Sequence, residues 1–381
     1  MKAMNHIKSD LASRLALLHQ EKKKGKKIVG YLPGGYFPEE LVLAAGAIPL
    51  CMIRGGEHAA VEASIAFVDR WLDTFYRAQI GYGVSDEDPY YNILDALFVP
   101  ITDSNNRALS DVLDYHTTLD IFPFGIPHTK SEATCRYYLH GLNRVKEKLE
   151  QITGVEITEQ RLNEAIDRCN RERELLREIS LLRKSDTIPI RAKEFVMINH
   201  ASMIADKEGL IQNLEALVEE LKASDSANGK GPRLLLTGST LAMGDHKILE
   251  LVEDAGGAVV IEEFAEGIKP YWQEVQPNGD PMQALAKAYF MDRVVPAWFR
   301  PGSERLSHLV ELAKDYSVDG VIWYQLLYRE SYKMQSYYFP EILKKETGLT
   351  MLTLESDYDP AETAQMSTRI ETYMESIGRK K

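Results

Sequence analysis

Proton transfer beside a reacting carbonyl needs a carboxylate or imidazole held at a fixed place. Residues of that kind gather at three points of this 381-residue chain, and a fourth offers a loop of backbone amides. Glu57 and His58 follow Gly55-Gly56 and offer both groups, although the same composition suits an ordinary surface turn. Asp103, Asn105 and Asn106 crowd the end of an apolar run, where they can cap the next helix or meet a substrate carbonyl. Gly238-Ser239-Thr240-Leu241-Ala242-Met243-Gly244 lies between a strand pattern and a helix pattern. Backbone amides in such a loop can cradle a phosphate. The loop lacks the Walker lysine and the G-x-G-x-x-G fingerprint, so a plain strand-to-helix turn is an equal reading. Glu355, Asp357 and Tyr358 follow the last apolar run, which points them at a cleft or at a neighbouring subunit.

Other chemistries have no support in the residue pattern. Nine histidines and three cysteines (Cys51, Cys135, Cys169) show no zinc-ligand spacing. A G-x-S-x-G nucleophile elbow is missing as well. The widely spaced cysteines do not form a disulfide framework and read as small core residues.

The elements that must position these groups alternate. Apolar runs at 27–32, 47–52, 95–100 and 120–124 read as buried strands, and Pro38-Glu39-Glu40 opens a helix at 39–45 with proline at its first position and acids at the positive end of the dipole. Between 131 and 222 long helical patterns dominate, such as Leu139, Leu142, Val145 and Leu149 at spacings of three and four. Thr158, with Arg161 three residues on, gives half a capping box. Residues 224–232, rich in Ser, Gly and Asn, read as a linker. A second alternating set follows, with strands at 233–237, 258–262, 319–324 and 350–354 and helices at 245–255 and 332–347. The fold class is α/β: two Rossmann-like open parallel-sheet domains, 1–130 and 229–381, joined by a helical segment, 131–228, with the strand ends facing a shared cleft.

Composition sets outer bounds. With 44% apolar residues the chain can bury a large core. Its net charge of −12 disfavours nucleic acid and anionic membranes as partners. The basic run at residues 21–27 is short and reads as a solvated helix end. No leader-like or membrane-spanning apolar stretch stands out, so a cytoplasmic protein is expected. Aromatic residues are dense from Trp323 to Phe339, as in a core, a subunit interface or a ring-stacking site.

Motifs at both ends carry a resemblance. Gly30-Tyr31, Tyr36-Phe37-Pro38-Glu39-Glu40-Leu41 and residues 44–50 (Ala-Ala-Gly-Ala-Ile-Pro-Leu) resemble the opening of the benzoyl-CoA reductase and 2-hydroxyacyl-CoA (2-hydroxyglutaryl-CoA) dehydratase subunit family. Leu354-Glu355-Ser356-Asp357-Tyr358 and residues 365–370 (Gln-Met-Ser-Thr-Arg-Ile) are similar to its C-terminal signature, and residues 149–170 to its helical insertion. The resemblance implies a dimer of two related subunits fed single electrons by an ATP-dependent iron–sulfur activator. A 4Fe-4S cluster passes the electron to an acyl-CoA thioester, whose ketyl radical loses water or takes up protons; such a cluster is held by cysteine thiolates. The positions where the family carries cluster cysteines hold Gly34 or Tyr76, Thr102 and Arg329 in this sequence. A glycine has no donor atom, a threonine hydroxyl is a poor soft-metal ligand, and an arginine brings fixed positive charge. The expectation is therefore a heterodimer subunit with no cofactor of its own, whose cluster resides in a homologous partner and which forms part of the acyl-CoA cleft. The alternative is an acyl-CoA-binding or scaffold homologue without redox chemistry.

Overall fold

A computed structural model describes residues 1–85, 88–224, 231–276 and 279–378. Most of the expected linker, 225–230, lies outside them.

The first sheet is built from β1 (Ile28–Tyr31), β2 (Ile48–Cys51), β3 (Ala96–Ile101) and β4 (Ile121–Gly125), all parallel, in the order β2-β1-β3-β4. The chain enters through α1 (Lys2–Lys23), and the crossovers are α2 (Glu39–Ala44), α3 (His58–Ala63) with α4 (Thr74–Val84), and α5 (Ser104–His116). Pro38 stands one residue earlier than expected, as the N-cap of α2. The basic run at the end of α1 is not a free patch, because Lys22 and Lys27 both pair with Asp95 at the entrance to β3.

Four long helices follow: α6 (Glu132–Thr153), α7 (Glu159–Leu182), α8 (Ala192–Ser202) and α9 (Lys207–Lys222). Thr158 caps α7 by accepting from the Arg161 amide. The second sheet repeats the first sheet's topology. Its strands β5 (Arg233–Gly238), β6 (Ala258–Glu263), β7 (Gly320–Leu326) and β8 (Met351–Ser356) are parallel in the order β6-β5-β7-β8. Its helices are α10 (Lys247–Asp254), α11 (Lys269–Trp272), α12 (Pro281–Ala286), α13 (Ser303–Asp315), α14 (Glu330–Thr347) and α15 (Thr363–Gly378). Helix α10 begins two residues later than its sequence suggests. Asp245, the residue expected to open it, is buried and accepts a hydrogen bond from Tyr324 Oη at 2.6 Å instead.

Both sheets are covered on both faces, as parallel sheets require. Along β5, Leu234 and Leu236 join the core shared with the first sheet, whereas Leu235 packs into a second core with α7, α8, α9 and α1. Gly238 ends β5 with φ of 152°, and a Cβ there would lie 1.5 Å from the Tyr324 carbonyl oxygen, so only glycine fits.

Main-chain bonds and buried ions join the two halves. Gly55 N–H donates to Met243 O, and Met243 N–H to Ile53 O, both at 2.9 Å. Glu40 on α2 pairs with Arg173 of α7 at 2.6 Å and accepts from Tyr289 Oη at 2.8 Å. At the second sheet, Arg183 just past α7 reaches both carboxylate oxygens of Glu262 and the Val259 carbonyl, with neither ionic partner more than 1% exposed. Removing one member of such a buried pair strands the other charge, at a cost of about 3–5 kcal/mol. Arg183→Met should therefore lower the urea midpoint strongly, and Arg183→Met with Glu262→Leu should recover most of the loss. Equal losses in the single and double variants would refute ion pairing as the source of the effect.

Candidate functional site

In a parallel sheet the order reverses between the first strand and the third, and the loops leaving those two strands diverge to leave a crevice. Here both sheets place that point against a common cavity. Its wall takes Pro33, Gly34 and Tyr36 from the loop after β1, Thr102 and Asp103 after β3, Ser239 and Thr240 after β5, and Arg329 after β7. Phe75 and Tyr76 of α4 and Ala265 and Glu266 after β6 complete much of the remainder. The cavity measures about 30 Å³, room for about two waters.

Arg329, 8% exposed, occupies the N-cap of α14. Its Nη2 lies 2.9 Å from Asp103 Oδ2, and the guanidinium carbon sits 4.8 Å from the Tyr76 ring centre and 5.7 Å from that of Tyr332. Asp103 is itself fixed, because its Oδ1 accepts from the Asn105 and Asn106 amides at the start of α5. Asp73 caps α4 in the same way. Burial raises the Asp73 carboxyl to about 6, against the opposing pull of Arg329. Asn106 Oδ1 accepts from Tyr76 Oη at 3.0 Å and Thr102 Oγ1 at 2.7 Å, and Asn105 Oδ1 accepts from the Asp73 amide. The polar residues after β3 thus cap one helix and tie it to another. Ser239 Oγ accepts from the Leu326 amide and extends the pairing of β5 with β7.

Glu266 is the titratable group that the sequence reading passed over. It is 3% exposed, and burial raises its carboxyl to about 7, with the Leu241 amide and the charges of Lys269 and Arg329 acting against the rise. The signal was present: Glu266 follows β6, and strand ends are where open sheets place their site residues. At neutral pH this carboxyl can hold or release a proton beside a fixed guanidinium.

The other sequence candidates stand elsewhere. Glu57 is exposed and pairs with Arg54, and His58 is half-buried next to Glu62; neither lines the cavity. Their Gly-Gly lead-in is occupied by the main-chain pairing with Met243. Glu355 pairs with Lys333 and accepts from Gln325, and Asp357 accepts from the Asp359 amide. Tyr358 is buried with φ of 68°, its hydroxyl against Gly55 in the other half of the molecule.

The four positions singled out as counterparts of cluster cysteines, Gly34, Tyr76, Thr102 and Arg329, all line the one cavity. Their chemistry does not fit a thiolate-held cluster, since a paired guanidinium and two neutral hydroxyls stand where soft anionic donors are needed. The thiols lie apart: Cys51 ends β2, Cys169 is buried on α7, and Cys135 is half-buried on α6. Among the described residues no three His, Cys, Asp or Glu side chains are grouped to hold a metal ion, and no helix is long and apolar enough to cross a membrane.

Comparison with known proteins identifies relatives along nearly the whole chain. The family model for the 2-hydroxyglutaryl-CoA dehydratase D-component matches residues 35–377. The provisionally named dehydratase subunit YjiM of Escherichia coli (strain K12) is 25% identical over 93% of each chain. The (R)-phenyllactyl-CoA dehydratase beta subunit of Clostridium sporogenes is 22% identical over 94% of each, and a benzoyl-CoA reductase subunit of Thauera aromatica is 23% identical over 82% of this chain and 81% of its own.

The raised carboxyl at Glu266 carries a pH signature. A carboxyl that holds its proton more tightly when folded binds more protons in the native state between its ordinary value of 4.5 and its folded value of about 7. Its contribution to stability is fully present below that window and is lost as pH rises through it, by up to about 3 kcal/mol. Glu266→Gln should flatten the stability profile between those values relative to the unaltered protein. Parallel profiles for the two proteins would mean that Glu266 is not the group titrating there.

Proposed function

Because the chain belongs to the 2-hydroxyglutaryl-CoA dehydratase D-component family, we propose that it is a subunit of a 2-hydroxyacyl-CoA dehydratase or benzoyl-CoA reductase-type complex in which the electron-carrying cluster sits on a partner. The observation that carries this reading is the convergence of Gly34, Tyr76, Thr102 and Arg329 on one cavity between the two sheets, where Arg329 is paired with Asp103. On this reading a site at the two switch points would keep its place in the fold and lack soft donors of its own.

In such a complex the cluster would supply single electrons from the homologous subunit after its reduction by an ATP-dependent activator. This chain would supply a wall of the acyl-CoA cleft and a docking face. Arg329 would hold fixed positive charge at the cleft, with Asp103 setting its orientation. Glu266 would hold a proton near neutral pH. The outer face of α14, which starts beside Arg329, exposes Met334, Tyr337, Tyr338 and Ile342. An apolar and aromatic strip of this kind has the composition of a contact between subunits.

Iron and acid-labile sulfide, measured in anaerobically purified protein alone and after co-expression with its genomic neighbour, test the proposal. Iron is expected only in the co-purified complex. Iron in the lone chain would overturn the claim that its ligands are gone. None in either preparation would leave the alternative, an acyl-CoA-binding or scaffold homologue.

A further inference from the structure

Seven arginines are buried among the described residues, and six have visible partners. Arg14 and Arg77 donate to carbonyls, and Arg173, Arg183, Arg305 and Arg329 each face a carboxylate. Arg293 differs. It is 7% exposed and its guanidinium lies over the Tyr289 ring at 4.7 Å, yet its Nε has no acceptor and no carboxylate among the described residues pairs with it. Burial pushes its pKa down. The groups that act on it besides burial are the Tyr289, Tyr36 and Tyr138 phenols and another cation, Arg173. A buried charge without a counterion is costly, so protein interiors pair such charges with a partner.

Arg293 lines a second cavity of about 50 Å³, which shares Pro33, Gly34 and Ala265 with the cavity at Arg329. The loop between the two offers more donors. Gly34 and Gly35 have φ of 130° and 81°, and among the described residues no acceptor takes the amides of Gly34, Gly35 or Tyr36. A Cβ at position 35 would lie 2.1 Å from Arg293 Nη1, so the glycine lets the guanidinium rest against the loop. The carboxylates on the same wall are already engaged: Glu39 and Glu172 lie 2.6 and 2.5 Å from Lys207. Arg293 is therefore the cation on this wall with no carboxylate partner among the described residues, with free amides beside it.

We propose that this cavity is an oxyanion site, in which Arg293 and the amides of the Gly34–Gly35 loop hold a small carboxylate. Successive unpaired amides form an anion-binding concavity, and the planar guanidinium matches a carboxylate through two parallel bonds. The volume accepts a carboxylate headgroup and excludes a nucleotide. The site stands on the geometry of this chain alone, whether or not it works within an enzyme complex.

Melting of the full chain in acetate, in inorganic phosphate and in sodium chloride, each at low millimolar concentration and equal ionic strength, tests the proposal. Acetate should raise the melting temperature along a saturating curve that chloride does not reproduce, because only a ligand bound to the native state does so. A larger rise with phosphate than with acetate would overturn the carboxylate assignment in favour of a phosphate group. Arg293→Met should weaken the acetate effect by about tenfold or more. Arg293→Lys keeps the charge but loses the fork, and Gly35→Ala places a methyl group where Nη1 lies; each should also weaken it. Equal melting curves in the three salts, or an acetate effect unchanged in Arg293→Met, would overturn the proposal.

Discussion

The Arg329–Asp103 ion pair sits where the two halves of the molecule must agree. Asp103 ends the third strand of the first sheet and opens α5; Arg329 follows the third strand of the second sheet and opens α14. Each residue is therefore fixed by its own sheet before it meets the other. A pair with one side chain 9% and the other 6% exposed is costly to desolvate, and the attraction returns that cost only with good geometry and further hydrogen bonds. The two amides on Asp103 supply such bonds for the acid, and the Tyr76 and Tyr332 rings cover the guanidinium. Small relative motions of the two sheets would break the pair. It therefore ties the halves in one register at the mouth of the cleft.

The same logic runs through the interior of this acidic protein. Ion pairs between separate segments, Glu40 with Arg173 and Glu262 with Arg183, fasten the helical layer to the first sheet and to the second. Such pairs add little net stability compared with apolar packing. Their effect is orientation, because each carboxylate accepts from more than one donor and tolerates few alternative placements. Where carboxylates are buried without a full set of donors, as at Asp73, Asp245 and Glu266, their protons are held more tightly, and all three lie near the contact between the halves. Charge in this interface is thus partly fixed and partly set by pH.

The architecture was legible because parallel strands are buried on both faces and read as short apolar runs, such as Leu234-Leu235-Leu236 and Val321-Ile322-Trp323. Helix boundaries slipped where a side chain had a tertiary partner, as Asp245 does in Tyr324. Asp103 and Ser239 could be placed at the cavity from sequence, since a polar residue after a central strand has one general position in this fold. Arg293 could not be ranked in the same way. Arg293 sits in an irregular segment after a short π-helical turn at Lys287–Met291, and its importance comes from what is missing around it, which depends on four distant segments. Glu57 and His58 had the right chemistry for proton transfer, but Gly55-Gly56 is spent on joining the two halves, and the residues after it emerge on the outer surface.

The cavity also explains why placing soft donors there would take more than replacing three side chains. Asp103 follows Thr102 directly and has its charge balanced by Arg329. Replacing Arg329 with an uncharged thiol would leave the Asp103 carboxylate buried beside Asp73, two acids at the starts of α4 and α5 with no cation between them. The helix N-termini and their amides would offset part of that charge. The remainder would have to be met by a proton, a relocated cation or a metal centre of net positive charge. The ion pair is therefore self-consistent in charge. It balances the Asp103 carboxylate, and it fills the space between the two switch points with a group that cannot change its charge near neutral pH.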